Sequence, residues 1–481
     1  MTGELRSPNA SMAQIIEHFD IFSDPSRLIP FRSYEDGDSS STTNKIAAFT
    51  MYEGVLYGNG IRTATSNATV YSASSIATPT WTDISFSSSG ATRVEADLPF
   101  FIGYKGAIFG VRGGRYVWKF TISGASTDNT HFDLTAYSTV SNGIIHSRDD
   151  CMYLGYDNKI VRNNAGSWTA AVLTLPTNCK VTSICEYGNY LAIGTASTYD
   201  PSNSVVYLWD RDSSLATLSE KIDFGPGNLK ALEEIDGALI GVSEGSNTGN
   251  LEGTITFRYW AGGGSAIQFQ QYKATTAGLK LYKQRVNGRL VVPGNFVRES
   301  ITHYGFWVVG RANPGAPFAA SFGRLAVNDF TAANVSGTSM FGFIVVGDYL
   351  FFAYPDASLD LHMTKTNDAA TYTATSLYES LVNPGMPSTD RSEEKKLYAV
   401  GVTTTKLSGS QQVVVKYRVD GGSWITILTK TTSSPDADLV GYQSGIIAAG
   451  DQFTDGREYE FRLESTGGAE ITGLFYRYKT T

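Results

Sequence analysis

One short phrase, a turn residue followed by an apolar strand, recurs along the chain. It reads YEGVLYGNG at 52–60, YKGAIFGV at 104–111, YGNYLAIGT at 187–195, IDGALIGV at 235–242, VNGRLVVPG at 286–294 and VGDYLFFAY at 346–354. Its turn residues align as Gly54, Gly106, Asp150, Asn189, Gly237, Gly288 and Asp348, and the Asp150 copy is the least regular. A spacing of roughly 40 to 60 residues is typical of repeated four-stranded units such as propeller blades.

The apolar block after each turn is continuous, as in Val55-Leu56-Tyr57, which indicates a strand buried on both faces. A second, amphipathic strand follows many copies, at 115–120, 205–209 and 255–260. Sheets of this kind protect their edges by closing into a ring. The sequence therefore predicts a seven-bladed β-propeller over residues 45–385. Six and eight blades are the alternatives, because the interval from 288 to 348 has room for an extra hairpin.

The composition agrees with an all-β fold. The 481 residues include 49 Gly, 27 Tyr and 25 Phe, and only 17% are charged. A net charge of −8 argues against nucleic acid as a partner, which clustered Lys and Arg would bind. Cys151, Cys179 and Cys185 have no metal-ligand spacing, and we expect buried free thiols. No apolar run reaches the roughly 18 residues of a membrane span.

The two ends of the chain differ from the repeat. Residues 1–44 are predicted to form an extended arm, in which the amphipathic stretch Ala13–Phe19 favours one or two helical turns. A charged, proline-bearing boundary lies at 383–396. Beyond it the segments LYAVGV, QQVVVKYRV, SWITILTK and EYEFRLES alternate strictly, with a hairpin turn at VDGGSW. This pattern predicts a C-terminal β-sandwich over residues 392–481, jelly-roll-like, whose last strand runs from Ile471 to Tyr478.

Catalytic patterns are weak. The five histidines, His18, His131, His146, His303 and His362, are isolated from one another and from cysteines, which favours structural or surface roles. The acidic pairs Asp149-Asp150, Glu233-Glu234 and Asp210 with Asp212 are candidates for glycoside hydrolysis. Adjacent strand residues point to opposite faces, however, so neither neighbouring pair is a natural dyad. We predict no catalytic, cofactor or metal site.

Aromatic side chains are the other candidates for function. Seven tryptophans and many tyrosines offer rings that stack on sugars or fill contacts between subunits. The residues predicted to contact a ligand or partner are Trp260, Trp424 and Tyr476.

Two families resemble parts of the chain. Asn164-Ala165-Gly166-Ser167-Trp168 and Asp368-Ala369-Ala370-Thr371-Tyr372 resemble a degenerate Asp-box, the structural hairpin turn of sialidase-like propellers. The arginine triad and the tyrosine–glutamate pair of that family have no counterpart, so the resemblance implies a fold and no activity. The segment from KKLYAVGV to FYRY resembles the terminal β-sandwich of tailed-bacteriophage virion proteins, and DIFSDPSRLIPFRS is similar to their extended arms.

The virion resemblance implies a structural subunit of a phage tail, nozzle, hub or other appendage, acting by oligomeric assembly. Its expected partners are other virion proteins and further copies of itself. Because no signal peptide is evident, we expect assembly in the host cytoplasm. The alternative is a receptor-binding appendage that recognises a host-surface glycan, and a polysaccharide depolymerase is the third hypothesis.

Overall fold

The computed structural model describes residues 2–6, 13–17, 19–22, 29–30, 34–36, 45–61, 68–73, 75–76, 80–84, 99–197, 203–212, 218–245, 253–324, 342–347, 349–355, 361–366, 375–380, 382–384, 393–432, 437–440 and 453–480. All regular secondary structure within these ranges is β-strand. The chain divides into two units. The first comprises Met1–Ser33, Val308–Val327 and Asn367–Thr481, and the second comprises Tyr34–Trp307 and Asn328–Thr366.

The strands are numbered in chain order. The N-terminal strands are β1 Thr2–Arg6, β2 Ala13–Glu17, β3 Phe19–Asp20, β4 Ile29–Pro30 and β5 Tyr34–Asp36. The next twenty are β6 Lys45–Tyr52, β7 Val55–Ile61, β8 Ala68–Ala73, β9 Trp81–Asp83, β10 Phe101–Tyr104, β11 Ala107–Arg112, β12 Tyr116–Thr121, β13 Ser126–Asp133, β14 Val140–His146, β15 Cys151–Tyr156, β16 Lys159–Asn164, β17 Ser167–Thr174, β18 Cys179–Tyr187, β19 Tyr190–Ser197, β20 Ser204–Trp209, β21 Glu220–Gly225, β22 Asn228–Ile235, β23 Ala238–Glu244, β24 Thr254–Trp260 and β25 Ile267–Lys273. The remainder are β26 Thr276–Leu279, β27 Gln284–Val286, β28 Arg289–Arg298, β29 Ile301–Gly310, β30 Ala319–Arg324, β31 Phe343–Val346, β32 Tyr349–Pro355, β33 Leu361–Thr366, β34 Ser376–Ser380, β35 Lys395–Thr404, β36 Gln412–Val419, β37 Ile425–Thr431, β38 Ala437–Val440, β39 Tyr459–Thr466 and β40 Ile471–Thr480.

The second unit is a β-propeller, as predicted. Blades 1 to 5 are consecutive four-stranded antiparallel meanders, β6–β9, β10–β13, β14–β17, β18–β21 and β22–β25. In blade 6 the first strand is broken into β26 and β27, and both pair with β28, which also neighbours β29. Blade 7 has the order β31-β32-β33-β5. The described strands of this unit therefore form seven blades.

Apolar clusters between neighbouring blades close the ring. Phe49 and Leu56 of blade 1 lie in one buried cluster with Ile344 and Phe351 of blade 7. Further clusters join blade 1 to 2, 2 to 3, 3 to 4 and 4 to 5. Because the first and last blades share this cluster, closing the ring buries apolar side chains that lie about 300 positions apart in the sequence.

The N-terminal segment supplies the last strand of the ring. β5 pairs antiparallel with β33, with Tyr34 opposite Thr366 and Asp36 opposite Thr364. The fourth strand of blade 7 therefore comes from before blade 1 in the sequence. This pairing closes the ring with backbone hydrogen bonds as well as with apolar packing.

The recurring phrase forms the turn between the first two strands of each blade. In blade 1, Glu53 and Gly54 both have positive φ, 49° and 77°, which is the type I′ geometry of tight two-residue hairpins. The predicted turn residue Asp348 lies outside the described residues.

The second glycine of the phrase has a packing role. A Cβ added to Gly155 on β15 would lie 2.4 Å from Cγ1 of Val181, in the next blade. That distance is far below van der Waals contact, so this glycine sets how closely blades 3 and 4 approach.

The predicted C-terminal β-sandwich forms in the first unit, and N-terminal strands complete it. One sheet has the order β1-β40-β35-β38, and the other contains β30-β2-β34-β39-β36-β37. The two sheets meet where Phe461 on β39 stacks on Tyr476 on β40, with ring centroids 5.0 Å apart. The Tyr459 hydroxyl also donates to the carbonyl oxygen of Lys395, 2.7 Å away, across the same interior.

The helical prediction for Ala13–Phe19 was wrong. Ala13–Glu17 is strand β2, paired antiparallel with β34, and Phe19 begins β3. Ile16 and Phe19 are both buried. One or two isolated helical turns are unfavourable because nucleation is costly, whereas pairing with β34 supplies hydrogen bonds at once. The three cysteines are free and buried, as expected.

We expect Gly155→Ala to lower the free energy of unfolding by about 1–3 kcal/mol, because the new methyl group forces blades 3 and 4 apart. Urea denaturation followed by tryptophan fluorescence measures this change. Ser167→Ala, at an exposed site on β17 of the same blade, is the matched control and should change stability by less than about 0.5 kcal/mol. Equal stability of the two variants would contradict the proposed role of Gly155.

Candidate functional site

The first strands of blades 3, 4 and 5 are joined by side chains that bind the backbone of the next blade. The amide of Asn142 on β14 accepts a hydrogen bond from Ile184 N (3.0 Å) and donates one to Ile184 O (2.9 Å) on β18. On the following pair, Ser183 Oγ accepts from Leu232 N of β22 at 3.1 Å and donates to Asn142 Oδ1 at 3.2 Å. These bonds satisfy backbone groups on strands that have no neighbour on that edge within their own blade.

The break in the first strand of blade 6 adds further side-chain contacts between blades. Tyr282 lies between β26 and β27, and its hydroxyl donates to the carbonyl oxygen of Phe49 in blade 1 at 3.1 Å. Its ring meets Phe343 of blade 7 edge-on, 5.4 Å between centroids. The next residue, Lys283, donates to Leu232 O and pairs with Glu233 of blade 5 at 2.7 Å. Tyr282 and Lys283, which lie in the gap between β26 and β27, therefore contact three other blades.

In three blades, a tyrosine at the end of the first strand forms a hydrogen bond with the turn of the next blade. Tyr52 Oη accepts from Gly106 N at 2.6 Å, Tyr104 Oη donates to Asp150 O at 2.6 Å, and Tyr187 Oη donates to Gly237 O at 3.4 Å. These are the tyrosines that open YEG, YKG and YGN, so the signal was present in the recurring phrase. Sequence analysis assigned the phrase turn geometry only and missed this role.

Blade 3 has His146 where the other three blades have tyrosine. The buried imidazole accepts from Arg148 N through Nδ1 (3.2 Å) and donates through Nε2 to Tyr190 O of blade 4 (3.3 Å). The Arg211 guanidinium lies against the ring, with Nη1 3.0 Å from Nδ1, and donates to Asn189 O. Burial, and then the positive charge of Arg211, hold the pKa of His146 below its ordinary value. Arg211 Nη1 also contacts Nε2, so the guanidinium faces both ring nitrogens.

Glu186 completes this cluster at the end of β18. Its carboxylate accepts hydrogen bonds from the hydroxyl of Ser147 and, at 3.1 Å, from Ser147 N. Burial alone would raise the pKa of Glu186, but the bonds from Ser147 and the nearby positive groups outweigh it and lower that pKa. The carboxylate is therefore held in its charged form.

A cavity of about 380 Å³ lies at this end of the first strands. It is lined by Ile144, Ile145, Cys185, Glu186, Gly188, Glu233, Glu234 and Arg285, which come from blades 3 to 6. Ile145 is 37% exposed, and 47% of the Arg285 side chain is exposed. Burial raises the pKa of the Cys185 thiol, which keeps it protonated and unreactive. The cavity thus presents carboxylates, one guanidinium and an apolar rim to a ligand.

The acidic pairs considered for catalysis have separate partners. Glu233 pairs with Lys283, whereas Glu234 pairs with Arg285 at 2.9 Å and accepts from Gly237 N. Likewise, Asp149 accepts from the Tyr153 hydroxyl at 2.6 Å and pairs with Arg211, while Asp150 pairs with Lys105. Asp210 accepts from the backbone of Asp212 in a local turn. In the first two pairs each carboxylate has its own cationic partner.

The three predicted contact residues differ in exposure. Trp260 is 4% exposed, and its indole Nε1 donates to Gly264 O, so the GGG loop at 262–264 caps the ring. Tyr476 is buried in the sandwich and donates to Pro384 O.

Trp424 is the one of the three with a half-exposed side chain. The guanidinium carbons of Arg418 and Arg462 lie 4.5 and 4.4 Å from its ring centroid. Both arginines are in turn held by carboxylates, Glu460 and Glu379. The ring of Trp424 is thus already engaged in cation–π contacts.

The candidate Asp-box turn at 164–168 links blades 3 and 2. Ala165 and Gly166 form a turn with positive φ, and Trp168 stacks on Phe132 with centroids 5.0 Å apart. The second candidate, at 368–372, lies outside the described residues, as do His18 and the side chain of His362.

The described residues contain no group of three or more His, Cys, Asp or Glu side chains placed to hold a metal ion. None of their elements is a helix long and apolar enough to cross a membrane.

Comparisons with known proteins bear on the fold alone. No family model and no curated protein matches the chain. Among solved structures it is similar to the WD40 β-propeller domain of Doa1, with 10% identity, a TM-score of 0.42, and 70% of this chain and 99% of that chain covered. It is also similar to YCF48 bound to D1 peptide, with 11% identity, a TM-score of 0.44, and 71% and 99% covered. A third similar structure is the computationally designed Ika8 protein, with 11% identity, a TM-score of 0.39, and 76% and 98% covered.

The depressed pKa of His146 predicts an acid-side loss of stability. Below a pH of about 6.5 the unfolded chain takes up a proton on this residue that the folded chain does not, so stability falls as pH decreases toward the folded pKa. We expect His146→Gln to reduce the fall in Tm between pH 7 and pH 5. Arg211→Gln, which removes the adjacent cation, should raise the pKa of His146 in an NMR titration of the imidazole. A His146 that titrates at its ordinary pKa would overturn this account.

Proposed function

We propose that the chain is a structural component of a bacteriophage virion, in a tail or tail-associated position, that acts by oligomeric assembly. This proposal rests on the hydrogen bonds and ion pairs that polar side chains form between blades. Asn142, Ser183 and Lys283 bind the backbone of neighbouring blades, and the carboxylates of Glu233 and Glu234 are paired with cations. Groups that an enzyme would direct at a substrate here hold the ring rigid.

The resemblance of the C-terminal segment to terminal sandwiches of tailed-phage virion proteins supports the assignment to a virion.

If this proposal is right, the chain will be found in purified phage particles by mass spectrometry at a stoichiometry of several copies per particle. The purified chain will also form a defined homo-oligomer by light scattering coupled to size-exclusion chromatography. Non-structural proteins of the same phage, measured in the same particle preparation, control for carry-over from the lysate. A chain that is monomeric at all concentrations and missing from particles would exclude the structural role.

A second candidate function, recognition of a host-surface glycan, is favoured by the cavity at the turn end of blades 3 to 6. Carboxylates and a guanidinium bind sugar hydroxyls, and the exposed Ile145 offers an apolar surface beside them. The buried Trp260 has a packing role, so its replacement would test stability and not recognition.

A glycan array with the purified chain tests this second function. We expect Glu234→Gln and Arg285→Gln to weaken binding of a retained glycan at least tenfold, because each removes a polar contact from the cavity. Glu220→Gln, an exposed carboxylate on β21 of blade 4, is the matched control and should leave binding unchanged. Equal losses in all three variants would indicate non-specific charge effects, and an array without any bound glycan would exclude this function.

A further inference from the structure

A polar side chain without hydrogen bonds lies deep between blades 1 and 2. Asn59 on β7 is 1% exposed, and neither its Oδ1 nor its Nδ2 has a hydrogen-bond partner in the part of the chain that the structure describes. Its cross-strand neighbours Ala48 and Val70 belong to the apolar cluster that blade 1 shares with blade 2. Because cross-strand neighbours lie on one face of a sheet, the side chain of Asn59 faces blade 2.

Arg112 faces the same gap from blade 2. Ile108 lies in the cluster shared with blade 1, and positions 108, 110 and 112 of β11 share one face of the strand. The Nε and Nη1 atoms of Arg112 are buried and have no hydrogen-bond partner among the described residues. Burial lowers the pKa of Arg112, and the group that acts in the opposite direction is Tyr116 rather than a carboxylate.

The two side chains lie at the same end of this gap. Asn59 is five residues beyond the turn glycine Gly54, and Arg112 is six residues beyond the equivalent Gly106. Facing sheets pack about 10 Å apart, so a long arginine side chain on one sheet approaches an asparagine on the other. Arg112 is partly exposed whereas Asn59 is buried, so the gap opens to solvent on the Arg112 side.

The unpaired atoms define the chemistry of a ligand. Arg112 and the Nδ2 of Asn59 offer N–H donors, whereas the Oδ1 of Asn59 needs a donor from the ligand. A guanidinium binds the oxygens of carboxylates and phosphates through paired hydrogen bonds. Carboxylate and sulfate ions only accept hydrogen bonds at neutral pH, but inorganic phosphate keeps an O–H and also donates. Phosphate therefore satisfies both side chains at once.

We propose that the gap between blades 1 and 2 binds a phosphate group that carries an O–H, with Arg112 at the mouth and the Asn59 amide inside. Buried polar groups that lack protein partners are ordinarily satisfied by water or an ion. Water would pair the amide but leave the desolvated charge of Arg112 without an anion, so an anion answers both observations. This site is independent of the proposed assembly function.

Isothermal titration calorimetry of the full chain at pH 7 tests the site, with inorganic phosphate as the probe and sulfate as the anion of similar shape. We expect one phosphate to bind per chain. Sulfate should bind at least about tenfold more weakly, because it leaves the Oδ1 of Asn59 unpaired. Equal affinity for the two anions, or no heat of phosphate binding, would overturn the proposal.

Two arginine variants locate the binding. Arg112→Gln should weaken phosphate binding at least about tenfold, because it removes the charged donor. Arg115→Gln is the matched control, since it removes the same charge close by in the same hairpin from a guanidinium that already pairs with Asp133. It should leave the affinity unchanged. Equal losses in the two variants would show a general charge effect and exclude the site.

Asn59→Asp tests whether the two side chains meet. The new carboxylate should pair with Arg112 in place of the anion, so phosphate binding is lost while Tm in phosphate-free buffer is at least that of the unchanged chain. A variant with a lower Tm that still binds phosphate would show that Asn59 and Arg112 do not share a site. If this variant does not fold, as judged by circular dichroism, the comparison of Arg112→Gln with Arg115→Gln decides.

Discussion

The ring depends on hydrogen-bond partners for the backbone groups along the unpaired edge of each first strand. A blade pairs its first strand on one side only, so the backbone groups on the other side need partners that the blade itself does not supply. In blades 4 and 5 those partners are side chains from neighbouring blades. Asn142 binds both backbone groups of Ile184, and Ser183 and Lys283 together bind both of Leu232. The same bonds that satisfy the strand edges also fix the angle between blades, so closure of the ring and satisfaction of its polar groups are one requirement.

Blade 6 shows how this requirement overrides strand regularity. Its first strand is broken after Leu279, and in the gap Tyr282 binds Phe49 in blade 1 while Lys283 pairs with Glu233 in blade 5. A few ladder bonds are lost, but contacts to three other blades replace them. The hydroxyls of Tyr52, Tyr104 and Tyr187 also join blades, because each forms a hydrogen bond with the turn of the next blade.

The fold was largely predictable from sequence because its signal is periodic and local. A turn residue, a continuous apolar block and an amphipathic partner strand recur in most blades, and each local pattern forms the element that it predicts. What sequence did not predict depends on contacts between distant residues. Nothing in Tyr34–Asp36 indicates that it completes blade 7, since its partner lies more than 300 residues away. The Ala13–Phe19 stretch was assigned as helical because it is amphipathic, a pattern that a short strand followed by a second short strand also produces. The cavity was missed for the same reason, because its lining comes from four blades.

The N-terminal segment connects these observations. Within 36 residues it gives a strand to each sheet of the sandwich and the closing strand to the propeller. Each of these is a pairing with a strand from the second half of the chain, so neither the ring nor the sandwich is complete until most of the sequence has been made. Pairings between distant segments form late and slowly, because the entropy of closing a long loop is lost before any contact is gained.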